Sequence, residues 1–315
     1  MHVTQVIAWI LLLAVLVSLV SRRLTVASQT LIIVATFAPY FVFVALVAAL
    51  LFALAGSPVG VVIAAVLAVS VAAVHARPLV AGPRPAAEPG LLTVMSSNIL
   101  VGRGDPARIL EAARSSDVDV LALQEVTPEA VEALQAAGID AAYPYSLLAP
   151  APLWNGVALW SRYPLREPRI EVFGELLRVE AVLGLDAEHP DEDPSVISLH
   201  IHAPWPAPPQ PWLDQLAGLR TDLLARTRPV IAMGDFNATF DHRPFRDLLA
   251  ECCTDAAVTA RAWWRPTYPS FRLVPPLITI DHVLMRGLRA SRVSTARIAG
   301  SDHLAVIATL HRQPV

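Results

Sequence analysis

The sequence predicts an α/β domain preceded by a membrane anchor of three helices. Of its 315 residues, 55% are apolar and the mean hydropathy is +0.52, which is too apolar for one soluble domain. All 27 acidic residues lie from Glu88 onward, so the two parts of the chain are adapted to different solvents. After Glu88, short runs of Val, Ile and Leu alternate with helical patterns, as in an α/β domain with buried strands.

Three apolar stretches, at 3–20, within 31–54 and at about 59–74, are long enough for a bilayer core, which takes about 20 residues per helix. We therefore assign residues 1–80 to a three-helix anchor, 81–90 to a Pro-rich linker and 91–315 to the catalytic candidate. A cleavable signal peptide over 1–30 is the rival interpretation. It is disfavoured because no positive n-region is present and two more apolar segments follow.

The side of the membrane is left open by the charges. By the positive-inside rule, Arg22, Arg23, Arg77 and Arg84 would lie in the cytoplasm together with the C-terminal domain. In the alternative, residues 24–40 form an interfacial or re-entrant segment, and Pro39 starts a shorter spanning helix.

The predicted strands are bounded by turn residues and lie at 91–100, 118–126, 156–162, 176–185, 196–203, 230–235, 278–285 and 304–310. Helices are predicted to start at Asp105-Pro106, Thr127-Pro128 and Pro211, where a capping residue or a first-turn proline stands. The stretches 204–211 and 262–271 are predicted to be surface loops. Cys252 and Cys253 are adjacent, which excludes a disulfide scaffold.

Polar residues interrupt the apolar strands near their ends. Taken singly, each has an ordinary explanation: Glu125 caps a helix, Asp235 and Asn237 form an Asx turn, and His202 belongs to a loop. Taken together, the set supplies oxygen ligands for a hard cation, a His–Asp pair for proton transfer and donors for a phosphoryl group. The members are Asn98, Glu125, His200, His202, Asp235, Asn237, Asp281, Asp302 and His303.

The segments that carry these residues resemble the successive motifs of the endonuclease/exonuclease/phosphatase superfamily over residues 91–311. They are Ser97-Asn98, Leu123-Gln124-Glu125, Gly234-Asp235-Phe236-Asn237-Ala238, Ile280-Asp281-His282-Val283 and Gly300-Ser301-Asp302-His303. The resemblance implies a four-layer α/β/β/α sandwich, with two face-to-face sheets, helices outside and the site at one sheet edge.

The resemblance also implies roles for individual residues. Glu125 would ligate Mg²⁺ or Mn²⁺ with Asn98 and Asp302 close by. His303 would be the general base, oriented by Asp281. Asp235 would orient the nucleophile or hold the metal, and Asn237 would bind a phosphate oxygen. A further catalytic histidine would be either His200 or His202.

The substrate is not named by these motifs. The domain has 20 arginines, no lysine and a charge of −7, which disfavours a nucleic-acid-binding groove. An anchor and a short linker hold the site near the bilayer, and Trp154, Trp205, Trp212, Trp263, Trp264 and Tyr268 are either interfacial or core residues. We therefore expect a phosphohydrolase of a phosphoester or a lipid-linked pyrophosphate, with the lipid bilayer and the substrate as partners and no obligate protein partner. A metal-dependent nuclease and a non-catalytic binding module are the alternatives.

The layout further resembles a membrane-anchored bacterial, especially actinobacterial, branch of the superfamily that includes proteins associated with glycopeptide resistance. That resemblance implies a multi-pass protein of the cell membrane, an extracytoplasmic catalytic domain and a polyprenyl pyrophosphate as substrate. It places Arg22 and Arg23 outside, against the positive-inside rule.

Overall fold

The computed structural model describes residues 2–80, 90–262, 264–271 and 273–313, with the backbone alone for 77–80. The chain forms a bundle of apolar helices followed by a domain of two β-sheets covered by helices. This confirms the predicted α/β sandwich behind apolar N-terminal helices. Arg84 and the linker over 81–90, apart from its last residue, lie outside the described residues, as does Trp263.

The N-terminal bundle contains helices α1 (His2–Ser21), α2 (Gln29–Thr36), α3 (Phe41–Leu54) and α4 (Pro58–Val80), with a 3-10 turn at Ala38–Tyr40 before α3. Within the described residues, α1 and the stretch 58–76 of α4 are each long and apolar enough to cross a bilayer. The α2 and α3 segments are bent by 60° and make a third crossing if they count as one span. These helices are compatible with membrane anchoring.

Ion pairs and hydrogen bonds join the bundle to the domain. Arg22, directly after α1, forms an ion pair with Asp241. The Tyr40 hydroxyl, at the start of α3, donates to the Leu277 carbonyl over 2.7 Å. His75, near the end of α4, has its Nε2 at 2.9 Å from Asp241 Oδ1. Residues 21–40 therefore lie on the domain side of the bundle.

The domain contains two six-stranded sheets. The first has the order β11-β12-β1-β2-β4-β3 and the second β5-β6-β7-β8-β10-β9. The first sheet consists of β1 (Leu92–Asn98), β2 (Val120–Gln124), β3 (Tyr145–Ala149), β4 (Val157–Ser161), β11 (Leu288–Arg297) and β12 (Leu304–Arg312). The second consists of β5 (Leu165–Phe173), β6 (Leu176–Leu183), β7 (Ser195–His200), β8 (Val230–Asp235), β9 (Thr254–Asp255) and β10 (Asp281–Arg286).

Three apolar layers hold the sandwich together. The layer between the sheets contains side chains such as Val94 and Met233. Helices α5 (Pro106–Ser115), α6 (Pro128–Ala136) and α7 (Ile139–Ala142) cover the outer face of the first sheet. Helices α8 (Gln210–Ala225) and α9 (Arg243–Glu251) cover the second, and α10 (Ala256–Thr259) packs near β11. Ile32 of α2 joins the α8–α9 layer, so the anchor shares a core with the domain.

The sequence explains the starts of α5 and α6. Asp105 caps α5 by accepting from Ala107 N over 2.9 Å, and Thr127 caps α6 by accepting from Ala130 N over 3.2 Å. Both caps precede a proline in the first turn, where its missing N–H costs nothing. Helix α8 begins at Gln210, one residue before the predicted start.

Candidate active site

The polar residues that interrupt the strands meet at one edge of the sandwich. The parallel pairs β1–β2 and β7–β8 end at this edge, and the antiparallel strands β10 and β12 begin there. The pairing register sets Asp235 beside both His200 and Asp281. The fold thus gathers side chains that are more than 200 residues apart in the chain.

Asn98 links two carboxylates from different sheets. Its Nδ2 donates to Glu125 Oε1 over 2.9 Å and to Asp235 Oδ2 over 3.1 Å. Glu125 has a φ of +60°, a conformation that is uncommon for a residue with a Cβ. Its second oxygen, Oε2, accepts from Val101 N over 2.8 Å. The backbone after β2 is therefore bent in a way that directs this carboxylate into the site.

His303 is held between carboxylates. Its Nδ1 lies 2.9 Å from Asp281 Oδ2, and its Nε2 lies 3.7 Å from Asp235 Oδ2 and 3.8 Å from Asp302 Oδ1. Burial lowers the pKa of His303, but Asp281 and Asp235 outweigh it and raise this pKa to about 10. Burial and the neighbouring Asp281 charge raise the pKa of Asp235 to about 6. Nδ1 is occupied by Asp281, so Nε2 is the nitrogen that faces the site.

His200 and Asn237 form the opposite wall. His200 Nδ1 donates to the Trp154 carbonyl over 3.0 Å, and its Nε2 lies 3.6 Å from Asp235 Oδ2. Asn237 Nδ2 lies 3.4 Å from His200 Nε2. Asn237 has a φ of +47°, and its backbone N–H donates to Asp235 Oδ1 over 2.8 Å, which is the Asx turn foreseen in the sequence.

His202 stands apart from these residues. Its Nε2 lies 3.7 Å from Glu175 Oε2, and its backbone N–H donates to Gln215 Oε1 over 2.8 Å. Strand β7 ends at His200, so the alternation that would put both histidines on one face does not continue to residue 202. Of the two candidates, the structure brings His200 to Asp235.

Asp302 and Asp281 each have a buried oxygen without a hydrogen-bond partner, Oδ1 in both cases. Burial is the main reason why the pKa of Asp302 is raised, and nearby Glu125 adds to it. Unpaired carboxylate oxygens in a buried cluster are costly unless a cation neutralises them. Asp235, Asp281 and His303 also place one ligand atom each within 4.8 Å of one another. The donor set fits a divalent metal that prefers oxygen ligands.

Four residues make supporting contacts that the sequence did not predict. Ser301 Oγ donates to the Asn98 carbonyl over 2.7 Å and accepts from His303 N over 3.0 Å. Thr267 Oγ1 accepts from Asp281 N over 3.3 Å. The Tyr268 ring lies 4.9 Å from the His303 ring, and the Trp154 carbonyl orients His200. Ser301 lies within a recognised motif, whereas the other three residues come from loops whose sequences carry no site pattern.

His282, which follows Asp281 in β10, faces the opposite side of the sheet. His282 Nδ1 lies 2.7 Å from Asp255 Oδ2, and its Nε2 lies 2.8 Å from the Ala238 carbonyl. Strand alternation explains the separation, because adjacent residues of β10 point to opposite faces. The cluster at the edge therefore uses Asp281 and leaves His282 in the outer core.

With this geometry in place, the comparisons with known proteins are decisive for the family. The sequence profile of the Endonuclease/Exonuclease/phosphatase family matches residues 95–303. The chain belongs to this family. The match spans every residue of the cluster, from Asn98 to His303. No curated protein matches the chain by sequence.

Solved structures of this family share the fold of the catalytic domain. An endonuclease/exonuclease/phosphatase from Bacteroides vulgatus has a TM-score of 0.58 at 14% identity, covering 70% of this chain and 99% of its own. TDP2 from D. rerio, complexed with a single-strand DNA product, has a TM-score of 0.58 at 15% identity, with coverages of 70% and 98%. A mannosyl-6-phosphatase from Bacteroides thetaiotaomicron has a TM-score of 0.54 at 14% identity, with coverages of 70% and 99%.

Proposed function

We propose that the protein is a membrane-anchored, divalent-metal-dependent phosphohydrolase of a lipid-linked phosphoester or pyrophosphate, such as a polyprenyl pyrophosphate. The observation that carries the chemistry is the cluster in which His303 is held by Asp281 and faces Asp235. A solved relative that is named as a mannosyl-6-phosphatase supports a phosphoester as the bond cleaved.

The metal is proposed to be Mg²⁺ or Mn²⁺, held by Glu125 with Asn98 and Asp302 close by. When bound, such an ion polarises a phosphoryl oxygen and neutralises developing negative charge. The unpaired Oδ1 of Asp302 supports its place in this set.

The proton chemistry is assigned to this chain's own residues. A divalent cation bound among the carboxylates would offset the negative charge that raises the pKa of His303. His303 then takes a proton from the attacking water at Nε2, while Asp281 fixes its tautomer through Nδ1 and stabilises the resulting imidazolium. Asp235, which faces both histidines, orients the water. Asn237 donates to a phosphoryl oxygen through Nδ2. His200, whose Nδ1 donates to the Trp154 carbonyl, turns Nε2 toward the same oxygens.

A lipid substrate is supported by the exposed apolar side chains near the site. Trp154 is 52% exposed, and its carbonyl contacts His200. Phe271 and Leu273 are 51% and 92% exposed and follow Ser270, whose N–H donates to the Asp302 carbonyl over 2.6 Å. Exposed aromatic and apolar groups are favoured at a membrane–water interface. By contrast, Trp212 is fully buried and belongs to the core.

The side of the membrane is a separate proposal. We propose that the catalytic domain is extracytoplasmic and that the N-terminus of α1 is cytoplasmic. Arg22 forms an ion pair with Asp241, and this contact explains its position on the domain side of α1. Alkaline phosphatase fused at Pro89 should be active, and activity only of a cytoplasmic reporter at that position would contradict the proposal.

Turnover by the full-length protein in lipid nanodiscs with Mg²⁺ tests the proposed function. We expect phosphate release from a polyprenyl pyrophosphate and none in His303→Ala. Leu273→Asp should slow this reaction more than hydrolysis of water-soluble bis(p-nitrophenyl) phosphate. Leu224→Asp, at an exposed site near the end of α8, is the matched control. Metal-dependent nicking of plasmid DNA without lipid turnover would instead identify a nuclease.

A further inference from the structure

A cavity of about 480 Å³ lies between the anchor and the catalytic domain. The anchor contributes Tyr40 and Val74 to its walls, and the domain contributes Phe240, Val258 and Leu277. Its size is within the range of about 300–1,000 Å³ that is typical of ligand pockets. The walls are mostly apolar, and apolar cavities in proteins stay dry and accept apolar ligands.

A buried polar cluster forms one part of the cavity wall. Arg22 and His75 both contact Asp241, and Arg246 donates to the carbonyls of Phe240 and Arg22. Asp241 is paired with Arg22, and the Arg246 guanidinium is hydrogen-bonded to two backbone carbonyls. The space that remains for a ligand is therefore the apolar part, between α3, α4 and the domain.

A single β-bridge lies between the cavity and the active site. Tyr268 and Ile278 pair in an antiparallel bridge, with hydrogen bonds of 3.0 Å and 2.9 Å between their backbones. Ile278 lines the cavity, whereas the Tyr268 ring lies 4.9 Å from the ring of His303. Trp264, four residues before Tyr268, also lines the cavity and packs edge-on against Tyr40 at 6.1 Å.

We propose that this cavity binds the hydrocarbon chain of the lipid phosphate substrate, whose phosphorylated end reaches His303 past the Tyr268–Ile278 bridge. We assign a membrane lipid as the occupant because Tyr40 and Val74 form one wall, and both lie on segments that are long and apolar enough to count as candidate membrane spans. The proposal rests on the proposed function, since it names where the substrate of that same site places its chain.

Val74→Trp fills the cavity from α4. Val69→Trp is its matched control on the same helix, where Val69 is 67% exposed. In nanodiscs, we expect Val74→Trp to raise the ratio of the KM for farnesyl pyrophosphate to the KM for bis(p-nitrophenyl) phosphate by at least ~10-fold. The loss of even small apolar contacts in a pocket changes substrate discrimination by that factor. Val69→Trp should leave both KM values unchanged. Val258→Phe narrows the same cavity from the domain and should act like Val74→Trp.

Photo-crosslinking tests binding without turnover. Asp235→Asn protein is irradiated with farnesyl pyrophosphate that carries a diazirine at the end of its chain. We expect labelled peptides from α4 and from the stretch around Val258, and no such label after Val74→Trp. Labels elsewhere only would overturn the cavity site, whatever the activity. Labels in the cavity with an unchanged KM ratio would indicate a structural lipid and would also overturn it. Absence of lipid turnover in the unmodified protein would instead contradict the proposed function.

Discussion

His303 Nδ1 lies 2.9 Å from Asp281 Oδ2, and both side chains are buried. The two residues come from the two sheets and meet at one edge of the sandwich, with β10 beginning at Asp281 and β12 directly after His303. The chain contains a second buried pair of the same chemistry, His282 with Asp255, on the other face of β10. The two pairs make it possible to separate catalysis from folding.

His303→Ala should lower kcat by a factor of about 10²–10⁴, the usual contribution of a general base. Substrate KM should change little, whereas the melting temperature should fall, because Asp281 loses its buried partner. The matched variant, His282→Ala, breaks a buried hydrogen-bonded pair on the opposite face of β10 and should lower stability by about 3–5 kcal/mol. Per folded molecule, His282→Ala should retain its phosphohydrolase activity. Equal losses of kcat in the two variants would contradict the assignment of His303.

Metal affinity should depend on Glu125. Glu125→Gln removes the negative charge but keeps the size, and it should weaken Mg²⁺ binding in calorimetric titration by at least ~10-fold. Glu129→Gln, in the exposed first turn of α6, is the control and should bind Mg²⁺ like the unmodified protein. Unchanged affinity in Glu125→Gln would shift the proposed site to Asp235, Asp281 and His303, the group whose ligand atoms lie within 4.8 Å.

The anchor and the domain should unfold together because of Asp241. Asp241→Asn leaves the buried Arg22 guanidinium without its carboxylate, which costs about 3–5 kcal/mol. The melting temperature in detergent should fall, and trypsin should cleave near Arg22 and Arg23 sooner. Asp247→Asn, whose side chain is 39% exposed, should have little effect on either measurement. Cleavage at the same rate in both variants would show that the ion pair does not hold the anchor to the domain.

Acid should weaken the same interface through His242. Burial lowers the pKa of His242 from 6.5 to about 4, and its ring contacts Thr36 and the Ile32 carbonyl of α2. Between pH 6.5 and pH 4, His242 binds a proton in the unfolded state but not in the folded state. The free energy of unfolding therefore falls as the pH drops toward 4. The free energy of unfolding is lower at pH 5 than at pH 7 by about 2 kcal/mol.

Melting curves of His242→Gln check this effect. The variant cannot take up the proton, so its stability should depend less on pH between 6.5 and 4. His189→Gln, at an exposed position, should keep the pH dependence of the unmodified protein. A full pH dependence that persists in His242→Gln would assign the acid sensitivity to other groups.

Much of the fold could be predicted because its central strands are apolar runs. The eight predicted strands correspond to β1, β2, β4, β6, β7, β8, β10 and β12. The strands that the prediction lacks are β3, β5, β9 and β11, which lie at or beside sheet edges and mix polar with apolar residues. The prediction also lacks α9, whose strongly amphipathic sequence is short at nine residues.

The candidate site could be predicted in its residues but not in its contacts. The motifs gave Glu125, Asp235 and His303 because charged groups at the ends of buried strands stand out in sequence. The motifs did not predict that Asn98 bridges two carboxylates or that His202 lies apart from His200. These features depend on how the sheets stack and on where a strand ends. The Arg22–Asp241 pair and the shared core of α2 were likewise not foreseeable, because long-range packing has no local pattern.

The most direct test of the central claim is Mg²⁺-dependent phosphate release from a polyprenyl pyrophosphate by the full-length protein in detergent, measured beside Asp235→Ala. We predict release that requires the metal and is abolished in Asp235→Ala, because Asp235 faces both His200 and His303. Release that persists in Asp235→Ala, or no release from the unmodified protein while it cleaves DNA or a soluble phosphoester, would contradict the account.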